Sequence, residues 1–121
     1  MQFSKEQEPV NAVRKYDAES LWIREQAFSG SIAIMPTAID EDFDCRQIND
    51  LNETHLAPFV AAKPEVIIIA CGQTVTFPEA SVMRAVQRAG IGIEVMNDGA
   101  AMRTYNVLLS EERDVVLLVV R

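Results

Sequence analysis

Few side chains in this sequence carry reactive chemistry. Cys71 closes an apolar run just before a helix start expected near Thr76, a place where backbone amides favour a thiolate. A cysteine nucleophile also needs a base, and the single histidine, His55, lies in a separate segment between Thr54 and Leu56. Nothing in the spacing joins the two, so Cys71 reads as a small apolar residue packed inside at a strand end. His55 reads as a surface residue, because one imidazole makes no metal site. No Gly-x-Ser-x-Gly elbow offers a serine nucleophile. Gly90-Ile91-Gly92 precedes a strand instead of following one, which makes it a helix stop and not a dinucleotide loop. Arg103 and Asn106, three apart, share a helix face while Tyr105 points elsewhere. Either the two polar side chains line a crevice or meet a partner, or Tyr105 is core with its hydroxyl bonded locally and Arg103 pairs with Glu94 or Asp98. The second reading is the simpler one. No catalytic residue, metal site or cofactor is expected.

The elements that must hold these residues fall into two halves. In the first, Ala12–Tyr16, Leu21–Arg24 and Ser31–Met35 read as an antiparallel β-meander, with turns at Asp17-Ala18-Glu19 and Ser29-Gly30. Pro36 closes it. Trp22 falls on the face opposite Leu21 and Ile23; core packing under the short helix is its simpler reading, and an exposed Trp22 would instead be a contact for self-association, as would the hairpin edge. Residues 53–62 suit a short helix burying Leu56, Phe59 and Val60, with Pro58 confined to a first turn or a kink.

In the second half the pattern changes. Val66–Ala70 is apolar on both faces, as a central strand covered on both sides requires. Thr76-Phe77-Pro78-Glu79 fits a capping box that opens a helix with inner face Val82, Met83, Val86 and Ala89, stopped by Gly90. Arg84 and Arg88 form a solvated basic stripe on its outer side. Ile91–Met96 is the next strand. Asp98 serves as N-cap of a helix from about Ala100 to Ser110 burying Ala101, Tyr105, Leu108 and Leu109, and Val115–Val120 is the last strand. Alternating strands and helices are an α/β signature.

The chain of 121 residues, 49% hydrophobic, suits a single domain spanning 1–121, with 1–11 a flexible tail. A net charge of −7 repels nucleic acid and anionic membranes, so neither is an expected partner. No apolar run is long enough to span a bilayer. The N-terminal residues look like neither a secretory signal nor a transit peptide, and a cytoplasmic location with Cys45 and Cys71 as free thiols is the expectation. The stretch Thr37–Thr54 carries Asp40, Glu41, Asp42, Asp44, Asp50 and Glu53 against Arg46 alone. It lacks the spacing and turn glycine of a calcium loop, and so reads as a solvated connection holding Cys45, with a secondary role as a docking surface for a basic partner.

Three strings in the second half carry a resemblance: Cys71-Gly72-Gln73-Thr74-Val75-Thr76-Phe77-Pro78, Gly90 to Met96, and Gly99-Ala100-Ala101-Met102-Arg103-Thr104-Tyr105-Asn106-Val107-Leu108-Leu109-Ser110-Glu111. From about Ser20 to Val120 the chain resembles the family of complex I assembly factor 3 and the adipogenesis-associated domain protein, as a bacterial, uncharacterised member. The resemblance implies a three-layer fold: a central mixed sheet, helices on one side, a β-hairpin plus helix on the other. Ala70-Cys71-Gly72 stands where the family usually has Gly-Thr-Gly, and Thr76 where a basic residue precedes Phe-Pro. Both differences argue against anion binding at that turn.

Ligands of open α/β sheets lie beyond the carboxyl ends of the strands. That rim presents Cys71, Gly72, Gln73 and Thr74 from one loop, Asn97, Asp98 and Gly99 from the next, with Arg103 and Asn106 behind them. Two functions are therefore expected to compete. One is a non-enzymatic module that binds a protein, such as a respiratory-complex subunit; the other is a small-molecule or enzymatic site around Gln73, Asp98 and Arg103.

Overall fold

Val66–Ala70 sets the architecture. In the computed structural model, which describes residues 10–121, it forms β6 (Val66–Ala70) and pairs in parallel with β7 (Gly92–Met96) and β8 (Val115–Val119). Successive side chains of a strand point to opposite faces. Ile67 and Ile69 accordingly pack with Leu56, Phe59, Val82 and Val86, while Ile68 and Ala70 pack with Leu21, Phe28, Met102 and Tyr105. Each face needs its own cover. Helices α1 (Glu53–Ala61) and α2 (Ala80–Arg88) supply one; α3 (Asp98–Ser110) and a three-stranded antiparallel sheet supply the other. That sheet is β1 (Lys15–Tyr16), β2 (Ser20–Ile23) and β3 (Gln26–Ser29). The central sheet adds β4 (Ile32–Met35) and β5 (Ala38–Asp40), in the order β5-β4-β8-β6-β7. The fold is thus the expected three-layer mixed α/β arrangement.

Several expectations need correction. Ser31–Met35 is not the third meander strand: β4 pairs antiparallel with β8, Ile34 opposite Leu117. Its Ile32, Ala33 and Ile34 are all buried, so it has no solvent face. The true third strand, β3, buries only Phe28. It follows a turn at Arg24, which holds a left-handed φ of 54° without glycine. That conformation is braced, since Arg24 O accepts from Arg14 Nε and its own guanidinium reaches Val10 O and Asn11 Oδ1. Ala12–Tyr16 shrinks to the two residues of β1, because both backbone groups of Val13 are taken by the Asn106 side chain at 2.9 and 2.8 Å.

The acidic stretch is more than a solvated connection. It contains β5 and a 3-10 turn at Ile48–Asp50, and buries Phe43, Cys45, Ile48 and Leu51 against the α1 and α2 layer. Pro58 sits inside α1, so of its two expected places only the first turn is excluded. The capping box at Thr76 does not form; α2 starts at Ala80 with Glu79 in the N-cap position. Thr76 is held elsewhere, its hydroxyl on Thr74 O and its amide on Cys71 Sγ. Ala89, expected on the inner face, is exposed at the helix end, and Gly90 makes the left-handed stop at φ 80°. The N-cap of α3 is Asn97, not Asp98; its side chain accepts from the Ala100 amide.

The expected tail at 1–11 lies largely outside the described residues. Its last residue, Asn11, is 6% exposed and works as a bolt. Its Nδ2 donates to Met35 O and Ala38 O, and its carbonyl accepts from the Tyr105 hydroxyl at 2.8 Å. Burial pushes the Tyr105 phenol well above its usual range, so it stays a donor. Tyr105→Phe, which removes only this donor, is expected to lower stability by about 1–2 kcal/mol with an unchanged denaturant slope in urea unfolding. An unchanged midpoint would show that the bond contributes nothing.

Candidate functional site

The strand ends β6 and β7 are adjacent, yet β6 leads to α2 on one face and β7 to α3 on the other. Their connections part and leave a crevice. It measures about 360 Å³ and is lined by Gly72, Gln73, Asn97, Asp98 and Gly99 from these two loops, and by Tyr16, Asp17 and Ala18 from the β1–β2 turn. Five of the nine expected rim and site residues, Gly72, Gln73, Asn97, Asp98 and Gly99, are therefore brought together. Tyr16, Asp17 and Ala18 were missed.

The two loops are clasped by a reciprocal pair. Asp98 Oδ1 accepts the Gly72 amide at 2.9 Å, and the Asp98 amide donates to Gly72 O at 2.8 Å. The clasp needs Gly72 at φ 102°, a conformation suited to glycine. Gly99 is required for a different reason. A Cβ there would meet the Tyr16 hydroxyl at 2.8 Å and Arg103 Nη1 at 3.3 Å, so its hydrogen lets both polar groups approach the first turn of α3. Asp17 shapes the far wall by accepting the amides of Glu19 and Ser20 at 2.9 and 2.8 Å. Those two bonds hold its carboxyl below the usual carboxylate range.

The remaining expected residues do not line the crevice. Cys71 is not packed inside; it is half-buried, its thiol donating to Met96 O at 3.1 Å and accepting the Thr76 amide at 3.4 Å. Thr74 is exposed on the same loop. Asn106 is committed to Val13, and the Tyr105 hydroxyl is bonded not locally but to Asn11. Among the described residues Arg103 has no carboxylate within 4.0 Å, so the expected pairing with Glu94 or Asp98 is absent. His55 is half-buried, not on the surface. Its Nδ1 accepts the Asn52 amide in a reciprocal cap of α1, and its ring meets Phe43 edge to face at 6.2 Å. Cys45 is the enclosed cysteine, 1% exposed, and burial pushes its thiol up. Trp22 is half-buried under Lys15, whose Nζ stands 4.6 Å from the ring centroid.

A second cleft of about 570 Å³ has Glu41, Asp42, Asp44, Arg46 and Arg121 in its lining. Among the described residues no group of three or more His, Cys, Asp or Glu gathers to hold a metal ion, and no helix is long and apolar enough to cross a membrane. The polar atoms of the crevice mostly hold backbone. Such an arrangement offers shape and hydrogen bonds.

A family model described as a protein of unknown function, DUF498/DUF598, matches residues 13–120. Over 73 residues, 60% of the chain, the sequence is 29% identical to a protein of Francisella tularensis named "13 kDa major membrane protein". Over 103 residues, 84% of the chain, it is 24% identical to the NADH dehydrogenase (ubiquinone) 1 alpha subcomplex assembly factor 3 of Xenopus tropicalis. The matched regions span 59% and 56% of those two proteins. A solved structure from Xanthomonas campestris superimposes with a TM-score of 0.83 at 35% identity, covering 90% of this chain and 83% of the other.

Two outcomes test the site geometry. Under native conditions iodoacetamide is expected to modify Cys71 while Cys45 reacts only after unfolding, as mass spectrometry of the labelled peptides would show. Labelling of Cys45 first would reverse the burial assignment. For Asp17, a carboxyl depressed in the folded state, the stabilising contribution is present above the ordinary value of 3.8 and is lost as pH falls through the lower, folded value. Asp17→Asn is therefore expected to flatten the acid limb of the stability profile below that point and to lower stability at neutral pH.

Proposed function

We propose, from the premise that the chain belongs to the DUF498/DUF598 family of proteins of unknown function, that it is a non-enzymatic module that docks onto another protein. The observation that carries this reading is an apolar projection on the connection between β6 and α2. Phe77 is 62% exposed and Val75 44%, beside Pro78, on a loop whose other side is tied to the sheet through Cys71. An exposed aromatic on a braced loop loses little freedom when covered, which is what an interface anchor needs. The assembly-factor name of one relative supports the same reading. A respiratory-complex subunit is the first partner to test, in the cytoplasm. Cell fractionation checks the location, since another relative is named a membrane protein.

The crevice favours a second reading, a small-molecule site lined by Gln73 and the Tyr16 hydroxyl, with the Arg103 guanidinium outside the lining but close to Gly99 at its border. A thermal shift with one member of a metabolite panel, lost in Gln73→Ala and Arg103→Ala proteins that fold normally, would select it over docking.

Under the docking reading, Phe77→Ser is expected to leave the melting temperature unchanged and to reduce recovery of the co-purified partner about tenfold, as removing an interface anchor does. Equal recovery with wild type and variant would overturn the reading.

A further inference from the structure

We infer that the partner docks on the free edge of β7, adding an extended segment that carries a basic side chain as a sixth strand of the central sheet. This rests on the docking reading and names its mode.

β7 ends the strand order and, among the described residues, is paired with β6 alone. The amide of Gly92 donates to Glu65 O, and Met96 O accepts from the Cys71 amide, so the backbone groups of Gly92, Glu94 and Met96 face β6. By alternation, those of Ile93 and Val95 face outward, and among the described residues they have no backbone partner there. The opposite edge is not equivalent. β5 has three residues, and its Ile39 lines a cavity with Ile23, Arg24 and Phe28 of the smaller sheet, which overhangs it. β7 is the longer and more open template.

An open edge invites indiscriminate pairing unless a charge guards it. Glu94, exposed at the centre of β7, is that guard. Two copies joined antiparallel about this residue would set Glu94 against Glu94 at roughly 4.5–5.5 Å, and each copy carries a net charge of −7. A second copy is therefore disfavoured. A partner strand with lysine or arginine opposite Glu94 turns the same charge into an attraction, so the guard also selects.

The loop that carries the apolar projection touches the last residue of β7 on its β6 side. The Thr76 amide is 3.4 Å from Cys71 Sγ, which is 3.1 Å from Met96 O. Val75 and Phe77 are the chain neighbours of Thr76 on that loop. Main-chain pairing along Ile93–Val95 and a charge pair at Glu94 together form a strand-addition site.

Amide hydrogen exchange followed by NMR tests this, with a capped octapeptide of alternating lysine and valine as the probe. In the free protein Ile93 and Val95 should exchange much faster than Glu94 and Met96, and the peptide should slow those two. An alternating glutamate and valine peptide should not, and Glu94→Lys should reverse the preference. Val95→Pro, which removes an outward amide on an edge where proline is tolerated, should weaken binding about tenfold or more. Protection of Ile93 and Val95 before any peptide is added would overturn the inference, as would peptide protection confined to the acidic stretch or a preference indifferent to Glu94→Lys. Should partner recovery fall with Phe77→Ser yet ignore both Glu94→Lys and Val95→Pro, docking stands and the β7 edge is wrong. Recovery indifferent to all three variants removes both.

Discussion

The structure depends on a strand that has no face to give to water. Ile68 and Ile69 are neighbours in sequence but lie in opposite layers, each essentially inaccessible. Leaving one layer uncovered would expose side chains each worth about 1.5–3 kcal/mol in burial. The chain therefore has to cross β6 on both sides. It does so by running β6 to β7 through α2 over one face and β7 to β8 through α3 over the other. The parting loops, the crevice between them and the position of β7 at the sheet's end all follow from that double crossing.

Where a single periodicity governed, the sequence was readable. β6 and β8 are continuous apolar runs, the inner face of α2 shows Val82 and Val86 four apart, and the three-layer fold follows from these together with the family resemblance. Where tertiary contacts override local pattern, it was not. β3 is mostly exposed and follows a left-handed arginine instead of a glycine turn, so neither strand nor turn was visible. The buried residues of the acidic stretch, Phe43, Cys45, Ile48 and Leu51, follow neither strand nor helix spacing. Asn97 and Asp98 are both good N-caps. Asp98 is drawn away by the Gly72 amide, a contact between segments far apart in sequence.

The candidate site shows the same division. The rim rule placed Gly72, Gln73, Asn97 and Asp98 together because both loops follow strands of one sheet. It had no means of placing the β1–β2 turn over that rim. Nor did it show that Tyr105 and Asn106, 94 and 93 positions from their partners, fasten the N-terminal segment. Adjacent on a helix, these two residues look like surface chemistry in sequence. In the fold they substitute for a missing strand partner.

The energetics of covering this molecule favour its sheet edge over its polar rim. At the rim, Asp98, Asn97 and Asp17 already accept backbone amides, so a ligand would have to compete for acceptors in use. Along β7 the outward groups of Ile93 and Val95 are unpaired within the described fold. A partner that covered them without replacing their bonds to water would incur about 1–3 kcal/mol for each group. An extended chain replaces every one, because it presents donors and acceptors in the same alternation. A strand meets that requirement while leaving side chains on both faces free, one of them to answer Glu94.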